Sequence, residues 1–309
     1  MAEPVLKWAG GKRQLLPALQ ARFPDDGYEQ YHEPFFGGGA LFFALGERGG
    51  TINDFNPRLV NFYEQIRDQP EALIEKLQSY PAPESEPEVE QDYEVTRRNG
   101  SPTETFYYQQ RELFNRRSNG ESFDPLEEAA QLLYLNRTCF NGLYRENSDG
   151  EFNVPSGSYS NPDWVRADQI RQASELLANT EIWNGDFEYI LEEEAASSGD
   201  LVYFDPPYQP MSPTANFTDY SQDGFGREDQ ERLLEIAQAL GERGVQVIMS
   251  NSGVMYDRYE AAGFHVDIEG ATRAINSDAS NRDEVEEIIA TNISPASQRG
   301  PAQQSLTDF

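Results

Sequence analysis

The residues best suited to chemistry form one short string. Residues 204–208 read Phe-Asp-Pro-Pro-Tyr and end an apolar, strand-like run, and open α/β sheets bind ligands outside the carboxyl ends of their strands. The amino nitrogen of adenine is a poor nucleophile because its lone pair is delocalised into the ring, and acceptors for both of its hydrogens would localise that pair. Asp205 supplies a carboxylate acceptor and Pro206 a carbonyl, while Pro207 stiffens the turn and Tyr208 offers a stacking face. The string predicts a site for an amino-bearing base.

A second pattern is a strand that runs into glycines. Residues 33–40 read Glu-Pro-Phe-Phe-Gly-Gly-Gly-Ala, and glycines let a ligand approach the backbone closely. A dinucleotide fingerprint would need a small residue five positions after Gly37, where Phe42 stands, so pyrophosphate binding is disfavoured. The next strand ends at Asp54, an acid placed where ribose hydroxyls are commonly bound. These features predict a nucleoside site without a pyrophosphate, and S-adenosylmethionine is such a ligand.

Two further segments carry chemistry-bearing side chains. Residues 7–12 read Lys-Trp-Ala-Gly-Gly-Lys, but they are not a P-loop, because the earlier glycine is missing and Arg13 follows the lysine where Ser or Thr is required. In residues 136–157, arginine, asparagine and aromatic residues interleave around a turn at 148–150. That pattern predicts a hairpin suited to contacts with base edges and stacked bases.

The composition narrows the class of protein. The chain has 309 residues with 54 Asp and Glu against 24 Lys and Arg, a formal net charge of -30, yet 12% of its residues are aromatic and 38% hydrophobic. We therefore expect a folded chain with an acidic surface adapted to a hypersaline cytoplasm, with DNA mimicry as the alternative. Cys139 is the only cysteine and there are two histidines, so we expect no disulfide and no metal site. No apolar run approaches the length of about 18 residues that spans a bilayer, so a soluble, cytoplasmic protein without a membrane partner is expected.

Strand-like and helical runs alternate in two blocks, which predicts an α/β sheet covered on both faces. Strands are predicted at residues 31–36, 51–54, 181–184, 201–205, 246–250, 264–269 and 285–291, and helices at 12–22, 40–48 and 227–243. Residues 57–144 show only helical periodicity and a loop, and their acidic, proline-containing stretch 81–94 predicts a flexible linker. Acidic residues do not outnumber basic ones in residues 1–22 and 97–145, where we expect any anionic partner to bind.

The order of these motifs resembles that of the Dam-type DNA adenine N6-methyltransferases, and the similarity extends through residues 210–218 to nearly the whole chain. The resemblance implies a seven-stranded mixed sheet with helices on both faces, a Rossmann-like methyltransferase fold. It also implies an inserted helical target-recognition domain with a β-hairpin. Residues 1–56 and 160–309 would form the catalytic, S-adenosylmethionine-binding domain, and residues 57–159 the target-recognition domain.

The resemblance also implies a function for individual positions. The catalytic set is Asp205, Pro206, Pro207 and Tyr208. The positions expected to bind S-adenosylmethionine are Trp8, Lys12, Phe35, Gly37, Asp54, Asp186 and Asp205. The positions expected to bind DNA are Lys7, Arg111, Phe140, Asn141, Leu143, Arg145, Pro155 and Tyr159. The implied substrate is a flipped-out adenine in duplex DNA, within the sequence GATC; we expect a monomer, either solitary or with a cognate restriction endonuclease.

Three alternatives remain open at this stage. A cytosine N4-methyltransferase would use the same amino-group logic, but such enzymes often have Ser where Asp205 stands. A non-catalytic nucleic-acid-binding regulator would keep the helical insertion without needing both Asp54 and Asp205. A nucleotide-dependent oxidoreductase is disfavoured by Phe42.

Overall fold

The computed structural model describes residues 2–8, 10, 12, 14–47, 49–87, 105–192, 195–208, 225–271 and 285–300. The predictions that concern residues 88–94 and 210–218 lie outside this part of the chain. The chain divides into two compact units. The first comprises residues 1–11, 37–48 and 56–182, and the second comprises residues 12–36, 49–55 and 183–309. The division into catalytic and target-recognition domains stays a prediction.

A mixed sheet organises the second unit. Its strands are β1 (Tyr31–Glu33), β2 (Thr51–Asp54), β3 (Glu181–Asn184), β4 (Leu201–Phe204), β5 (Gln246–Ser252), β6 (His265–Ala271) and β7 (Val285–Thr291). The strand order is β3-β2-β1-β4-β5-β7-β6. β1 pairs in parallel with β2 and β4, β4 pairs in parallel with β5, and β7 runs antiparallel to both β5 and β6. The predicted seven-stranded mixed sheet is confirmed.

The helices within the described residues are α1 (Leu16–Ala21), α2 (Ala40–Leu45), α3 (Pro57–Asp68), α4 (Pro70–Ser79), α5 (Phe106–Asn115), α6 (Pro125–Thr138), α7 (Ala167–Leu177), α8 (Arg227–Glu242) and α9 (Tyr256–Ala261). In this part of the chain no helix is both long and apolar enough to cross a membrane.

Three predicted elements are at least three residues shorter in the structure, each for a local reason. α1 starts late because the N–H groups of residues 15 and 16 both bond to the Lys12 carbonyl in a preceding turn. α2 ends at Gly46, whose φ of 72° is the left-handed conformation of a glycine cap. β1 ends at Glu33 because Pro34 has no N–H to donate to the sheet.

The core of the second unit lies between α8 and one face of the sheet. Leu233, Ala237 and Leu240 recur at helical spacing on α8 and are buried. They pack in one cluster with alternate residues of the central strands, including Val202 on β4 and Met249 on β5. This packing fixes the strands whose carboxyl ends carry the predicted site.

A buried polar network ties together three strands of the same sheet. His32 on β1 lies 2.9 Å from the Thr51 hydroxyl on β2 and 3.3 Å from a carboxylate oxygen of Asp200, just before β4. Thr51 also bonds to the Tyr189 hydroxyl at 2.7 Å. An acid, a histidine and a hydroxyl in a row resemble a hydrolase triad, but His32 is only 1% exposed. The network is therefore structural, since no substrate can reach it.

The first unit is helical and is organised around α6, whose residues 128–136 are all buried. At its start, Glu128 accepts hydrogen bonds from Asn61 of α3 at 3.0 Å and from Arg117 at 2.5 Å, with Arg58 4.0 Å away. The Arg58 guanidinium also stacks 4.0 Å from the centre of the Phe114 ring of α5. A buried charge needs partners. The partners of Glu128 and Arg58 lie on different helices, so these contacts join α3, α5 and α6.

The prediction that residues 81–94 form a flexible linker is wrong for residues 81–87, the part of this segment that the structure describes. Residues 81–87 are held against the first unit, because the carbonyls of Pro83 and Ser85 accept the N–H groups of Tyr107 and Phe106 at 3.1 and 2.8 Å. The first N–H groups of a helix have no partner within that helix. The segment caps α5, which its acidic composition did not indicate.

Candidate active site and nucleic-acid interface

Asp205 follows β4 directly, and its carboxylate meets Lys12 of the same unit. Its Oδ1 lies 3.0 Å from Lys12 Nζ, an ion pair rather than an aligned hydrogen bond, since Oδ1 has no hydrogen-bond partner among the described residues. Lys12 Nζ donates to the Tyr208 hydroxyl at 2.6 Å and lies 4.1 Å from the centre of that ring. The structure thus brings together Lys12, Asp205 and Tyr208, which the sequence placed in two separate motifs.

The charges of this cluster depend on one another. Burial raises the pKa of the Asp205 carboxyl, and the neighbouring Lys12 ammonium opposes that rise. Burial also raises the pKa of the Tyr208 hydroxyl well above its usual value, and the nearby Asp205 carboxylate adds to the effect. The cluster therefore presents a neutral phenol ring beside a carboxylate whose ionised form is favoured by Lys12.

The loop after β4 is rich in hydrogen-bond acceptors. Pro206 and Pro207 have no N–H groups, so the loop offers carbonyls and the Asp205 carboxylate without competing backbone donors. Such a loop suits a ligand group that donates two hydrogens, and an amino nitrogen bound to two acceptors can localise its lone pair. The chemistry that this arrangement supports is attack by a heterocyclic amino group.

The carboxyl end of β2 carries features that fit a nucleoside. Asp54 is the last residue of β2, and its carbonyl accepts a hydrogen bond from Asn184 Nδ2 at 2.8 Å. The preceding residue, Asn53, is 2% exposed, and its Oδ1 is buried with no hydrogen-bond partner among the described residues. A cavity of about 580 Å³ is lined in part by Asn53, Gly185 and Asp186, a size typical of small-molecule sites. A buried acceptor beside such a cavity fits a ligand that donates hydrogen bonds.

Asp186 and Phe35, both predicted to bind the cofactor, also have structural contacts. Asp186 Oδ1 accepts the Glu188 N–H at 2.8 Å, and Oδ2 accepts from Arg232 of α8 at 2.6 Å. The Phe35 ring packs against the Phe187 ring with 5.1 Å between centroids. Asp186 therefore caps a turn and joins it to α8, which fixes its carboxylate at the cavity edge.

The position of Trp8 explains why residues 37 and 38, which follow β1, are glycine. In the first unit, a Cβ on Gly38 would lie 2.8 Å from Trp8 Cβ, and one on Gly37 would lie 3.0 Å from its indole ring. Gly37 also has a φ of 50°. The Trp8 ring also contacts Tyr144, with centroids 5.0 Å apart. The glycines were interpreted as room for a ligand, and the structure shows that they also make room for Trp8.

The predicted hairpin is confirmed in the first unit. Residues 146 and 152 form an antiparallel bridge, and Asn153 N–H donates to the Arg145 carbonyl at 3.0 Å. The turn is closed by Asn147, whose Oδ1 accepts the N–H groups of residues 149 and 151. α5 supports the hairpin from one face, since Asn115 both donates to and accepts from the Phe152 backbone at 2.9 and 2.8 Å.

The first arm of the hairpin carries Phe140, Asn141 and Leu143. Phe140 is 51% exposed, and Asn141 has a φ of 57°, a conformation that is rare for a residue with a side chain. Leu143 follows as the residue that closes this short turn and accepts a hydrogen bond from the Cys139 thiol. An exposed aromatic residue beside a strained asparagine is the arrangement expected of a contact surface.

Asn136 holds Lys7 against this turn. Buried in α6, it accepts from the Lys7 N–H at 2.8 Å and donates to the Lys7 carbonyl at 2.7 Å. The Lys7 ammonium lies 4.8 Å from the centre of the Tyr159 ring. A Cβ on Gly142 would overlap the Lys7 side chain. The structure therefore brings Lys7, Tyr159 and the 140–143 turn together.

The remaining predicted DNA contacts lie on or beside the hairpin. Arg145 is exposed, and its Nε donates to Asn153 Oδ1 at 2.7 Å, which orients the guanidinium. Pro155 is exposed, and its carbonyl accepts the Phe140 N–H at 2.9 Å. Arg111 of α5 donates to the Val154 carbonyl at 3.3 Å and stacks on Tyr108. Arg111 thus supports the hairpin from α5.

Sequence reasoning missed the residues that hold these groups in place. Asn136 and Asn153 position Lys7 and Arg145, and Gln230 donates to the Pro207 carbonyl at 2.9 Å. Polar residues inside helical or hairpin patterns, such as Asn136 and Gln230, are the one sequence feature that could have indicated them.

The fold and the site together define a class of protein. A mixed seven-stranded sheet in this strand order, with an acid-Pro-Pro-aromatic loop after its central strand β4, is an α/β fold of the methyltransferase type. The chain belongs to the D12 class of N6 adenine-specific DNA methyltransferases, whose family model matches residues 8–288.

Relatives of known name agree with this assignment. The chain is 41% identical over 291 residues to the type II methyltransferase M1.LlaDCHI of Lactococcus lactis subsp. cremoris, covering 94% of this chain and 95% of that protein. It is 36% identical to the type II methyltransferase M.MjaIII of Methanocaldococcus jannaschii, covering 94% and 99%. It is 34% identical to the DNA adenine methylase of Escherichia coli K12, covering 92% and 93%. The protein is therefore an adenine-specific DNA methyltransferase, as its sequence predicted.

Proposed function

We propose that the protein transfers a methyl group from S-adenosylmethionine to the N6 amino group of a flipped-out adenine in duplex DNA, within GATC. The observation that carries this proposal is the cluster of Lys12, Asp205 and Tyr208 at the end of β4. It combines an acceptor-rich loop with an aromatic face, as attack by an adenine amino group requires.

The residues proposed to hold the cofactor are Trp8, Lys12, Phe35, Gly37, Asp54, Asp186 and Asp205. The buried, unpaired Oδ1 of Asn53 at the cavity supports a ligand with hydrogen-bond donors. When bound, S-adenosylmethionine supplies an electrophilic methyl group whose leaving group departs neutral, so no metal is required.

The chain's own residues prepare the target base. Asp205 and the Pro206 carbonyl accept the two amino hydrogens and thereby orient the nitrogen lone pair. Tyr208 stacks on the base, and Lys12 keeps Asp205 ionised so that it can act as an acceptor. Because an amino group inside the duplex is out of reach of such a loop, the adenine must leave the base stack.

The first unit would read the DNA. It contains all eight residues predicted to bind DNA. Seven of these lie within residues 57–159, which supports the proposal that this segment forms a target-recognition domain; Lys7 lies outside it. Arg145 can donate two hydrogen bonds to a guanine O6 and N7. The GATC target is proposed from the resemblance to Dam-type enzymes, and a cognate restriction endonuclease is the proposed alternative to a solitary enzyme. Some relatives carry the name DNA adenine methylase and others the name type II methyltransferase. We propose a cytoplasmic monomer.

Sequencing of methylated bases tests this function. Plasmid without N6-methyladenine is incubated with the protein, with and without S-adenosylmethionine, in molar salt. Cofactor-dependent N6-methyladenine at GATC is expected. Methylation at another sequence would overturn the GATC target alone, and absence of methylated adenine would overturn the proposal.

A further inference from the structure

The loop that carries Pro206 cannot be fixed by its own backbone. Residues 206 and 207 are both proline and donate no hydrogen bonds, so partners outside the loop must set the direction of its carbonyls. The proline rings fix φ at both residues, which leaves the ψ angles to be restrained from elsewhere. A donor aimed at this loop therefore has a large effect on where the carbonyls point.

Gln230 of α8 supplies such a donor. Its Nε2 donates to the Pro207 carbonyl at 2.9 Å, and the residue is completely buried. At the other end of the loop, Lys12 pairs with Asp205. The Pro206 carbonyl thus lies between two anchored neighbours.

Gln230 is itself held by a buried relay. Its Oε1 accepts from Asn251 Nδ2 at 2.9 Å, and the same nitrogen donates to the Tyr259 hydroxyl at 2.9 Å. Asn251 is also completely buried, and its Oδ1 accepts the Ser252 N–H. The relay fixes which way the Gln230 amide faces, because its oxygen must meet the Asn251 donor and its nitrogen the Pro207 carbonyl.

The neighbouring residue of β5 holds the loop through a different side chain. Successive residues of a strand point to opposite faces, and Ser250, next to Asn251, bonds to the Tyr203 hydroxyl at 2.6 Å. Ser250 also tends to lower the pKa of the Tyr208 hydroxyl, against the larger effect of burial. The end of β5 therefore supports both the carbonyl side and the ring side of the loop.

We propose that Gln230, oriented by Asn251, is a positioning residue: by holding the Pro207 carbonyl, it aims the preceding Pro206 carbonyl at the target amino group. It touches neither DNA nor cofactor, so its loss changes the rate of methyl transfer and leaves binding intact. This inference rests on the proposed function of the loop after β4.

The test compares Gln230→Met, which keeps volume but removes the amide, with Gln238→Met as the matched control. Gln238 lies on the same helix, is exposed, and bonds to the Ala262 carbonyl at 3.1 Å, far along the helix from the loop. We measure kcat, KM for DNA, cofactor affinity by calorimetry, and the thermal midpoint. Misplaced catalytic groups commonly cost on the order of 10²-fold in rate, so we expect kcat of Gln230→Met to fall at least about tenfold.

For Gln230→Met, the KM for DNA and the cofactor affinity should stay within about twofold of the wild-type values. Gln238→Met should match wild type in all four measurements. Wild-type kcat in folded Gln230→Met would overturn the inference, as would a loss confined to KM or cofactor affinity. If Gln230→Met does not fold, Asn251→Asp is the variant that tests the inference. It keeps the acceptor for the Ser252 N–H but removes the donor to Gln230. An unchanged kcat in Asn251→Asp would also overturn the inference. A wild-type protein that methylates no adenine would instead contradict the proposed function.

Discussion

Replacing Lys12 by methionine isolates the electrostatic contribution of its ammonium to the active site. The variant keeps most of the side-chain volume but removes the charge 3.0 Å from Asp205 Oδ1. Burial already raises the pKa of Asp205, and Lys12 is the group that opposes this. Without it, the pKa of Asp205 must rise further. Only the ionised carboxylate can accept an amino hydrogen without offering a proton of its own, so activity falls as the pH drops through that pKa.

The size of the effect follows from the separation of the charges. At 3.0 Å, two unit charges attract by about 1.4 kcal/mol in water and by about 5.5 kcal/mol at the effective dielectric constant of about 20 that suits partly buried sites. Since Asp205 keeps 20% of its side chain exposed, solvent screening places the attraction between these two values. About 1.4 kcal/mol corresponds to one pH unit. The acid limb of the rate profile should therefore move upward by at least about one unit.

The assay measures kcat between pH 5 and 9, by mass spectrometry of N6-methyladenine at saturating DNA and cofactor. Lys76→Met is the matched control, because Lys76 pairs with Glu127 in the first unit and its loss changes the net charge equally. Coincident acid limbs for Lys12→Met and wild type would show that Lys12 does not keep Asp205 ionised.

Three further predictions concern the cofactor, the target and the surface. Asp54→Ala should weaken S-adenosylmethionine binding at least about tenfold in calorimetry, as the loss of a charged hydrogen bond would; unchanged affinity would remove Asp54 from the cofactor site. Arg145→Ala should cost about 1 to 3 kcal/mol at the cognate site and relax discrimination at one guanine. Arg116 lies in the same unit but is not among the predicted base contacts, so Arg116→Ala should affect all sequences alike; an unchanged preference profile of Arg145→Ala on single-base variants of GATC would refute the assignment. With a net charge of -30, the protein should gain thermal stability as salt rises to molar levels, where the Debye length falls to about 3 Å; equal melting at low and high salt would contradict a halophilic surface.

The sequence was sufficient to predict the sheet, and it singled out residues 204–208 as a candidate site. Periodicity located the strands, and the string after β4 was recognisable because each of its residue types suits one step of amino-group chemistry. The contact between Lys12 and Tyr208 could not be predicted from local sequence patterns, because 196 positions separate the two residues. Only the strand order brings such residues together.

Local patterns also misled where a residue's partner lies far away in the chain. Residues 81–87 have the composition of a solvated linker, yet their carbonyls cap α5. Gly37 and Gly38 were interpreted only as space for a ligand, whereas the structure shows that they also make room for Trp8. Gln230 and Asn251 read as ordinary polar residues, because their importance lies in hydrogen bonds that only the folded chain shows.

The central claim is that Asp205 is an acceptor for the amino group that becomes methylated. The most direct measurement is the single-turnover rate of N6-methyladenine formation by wild type and Asp205→Ala, both preloaded with unmethylated GATC duplex and mixed with S-adenosylmethionine. The account predicts that Asp205→Ala folds and binds the duplex as wild type does, but loses rate by about 10²-fold to 10³-fold, the usual cost of removing one charge-stabilising partner at a reacting centre. A folded Asp205→Ala that keeps more than about a tenth of the wild-type rate would contradict it.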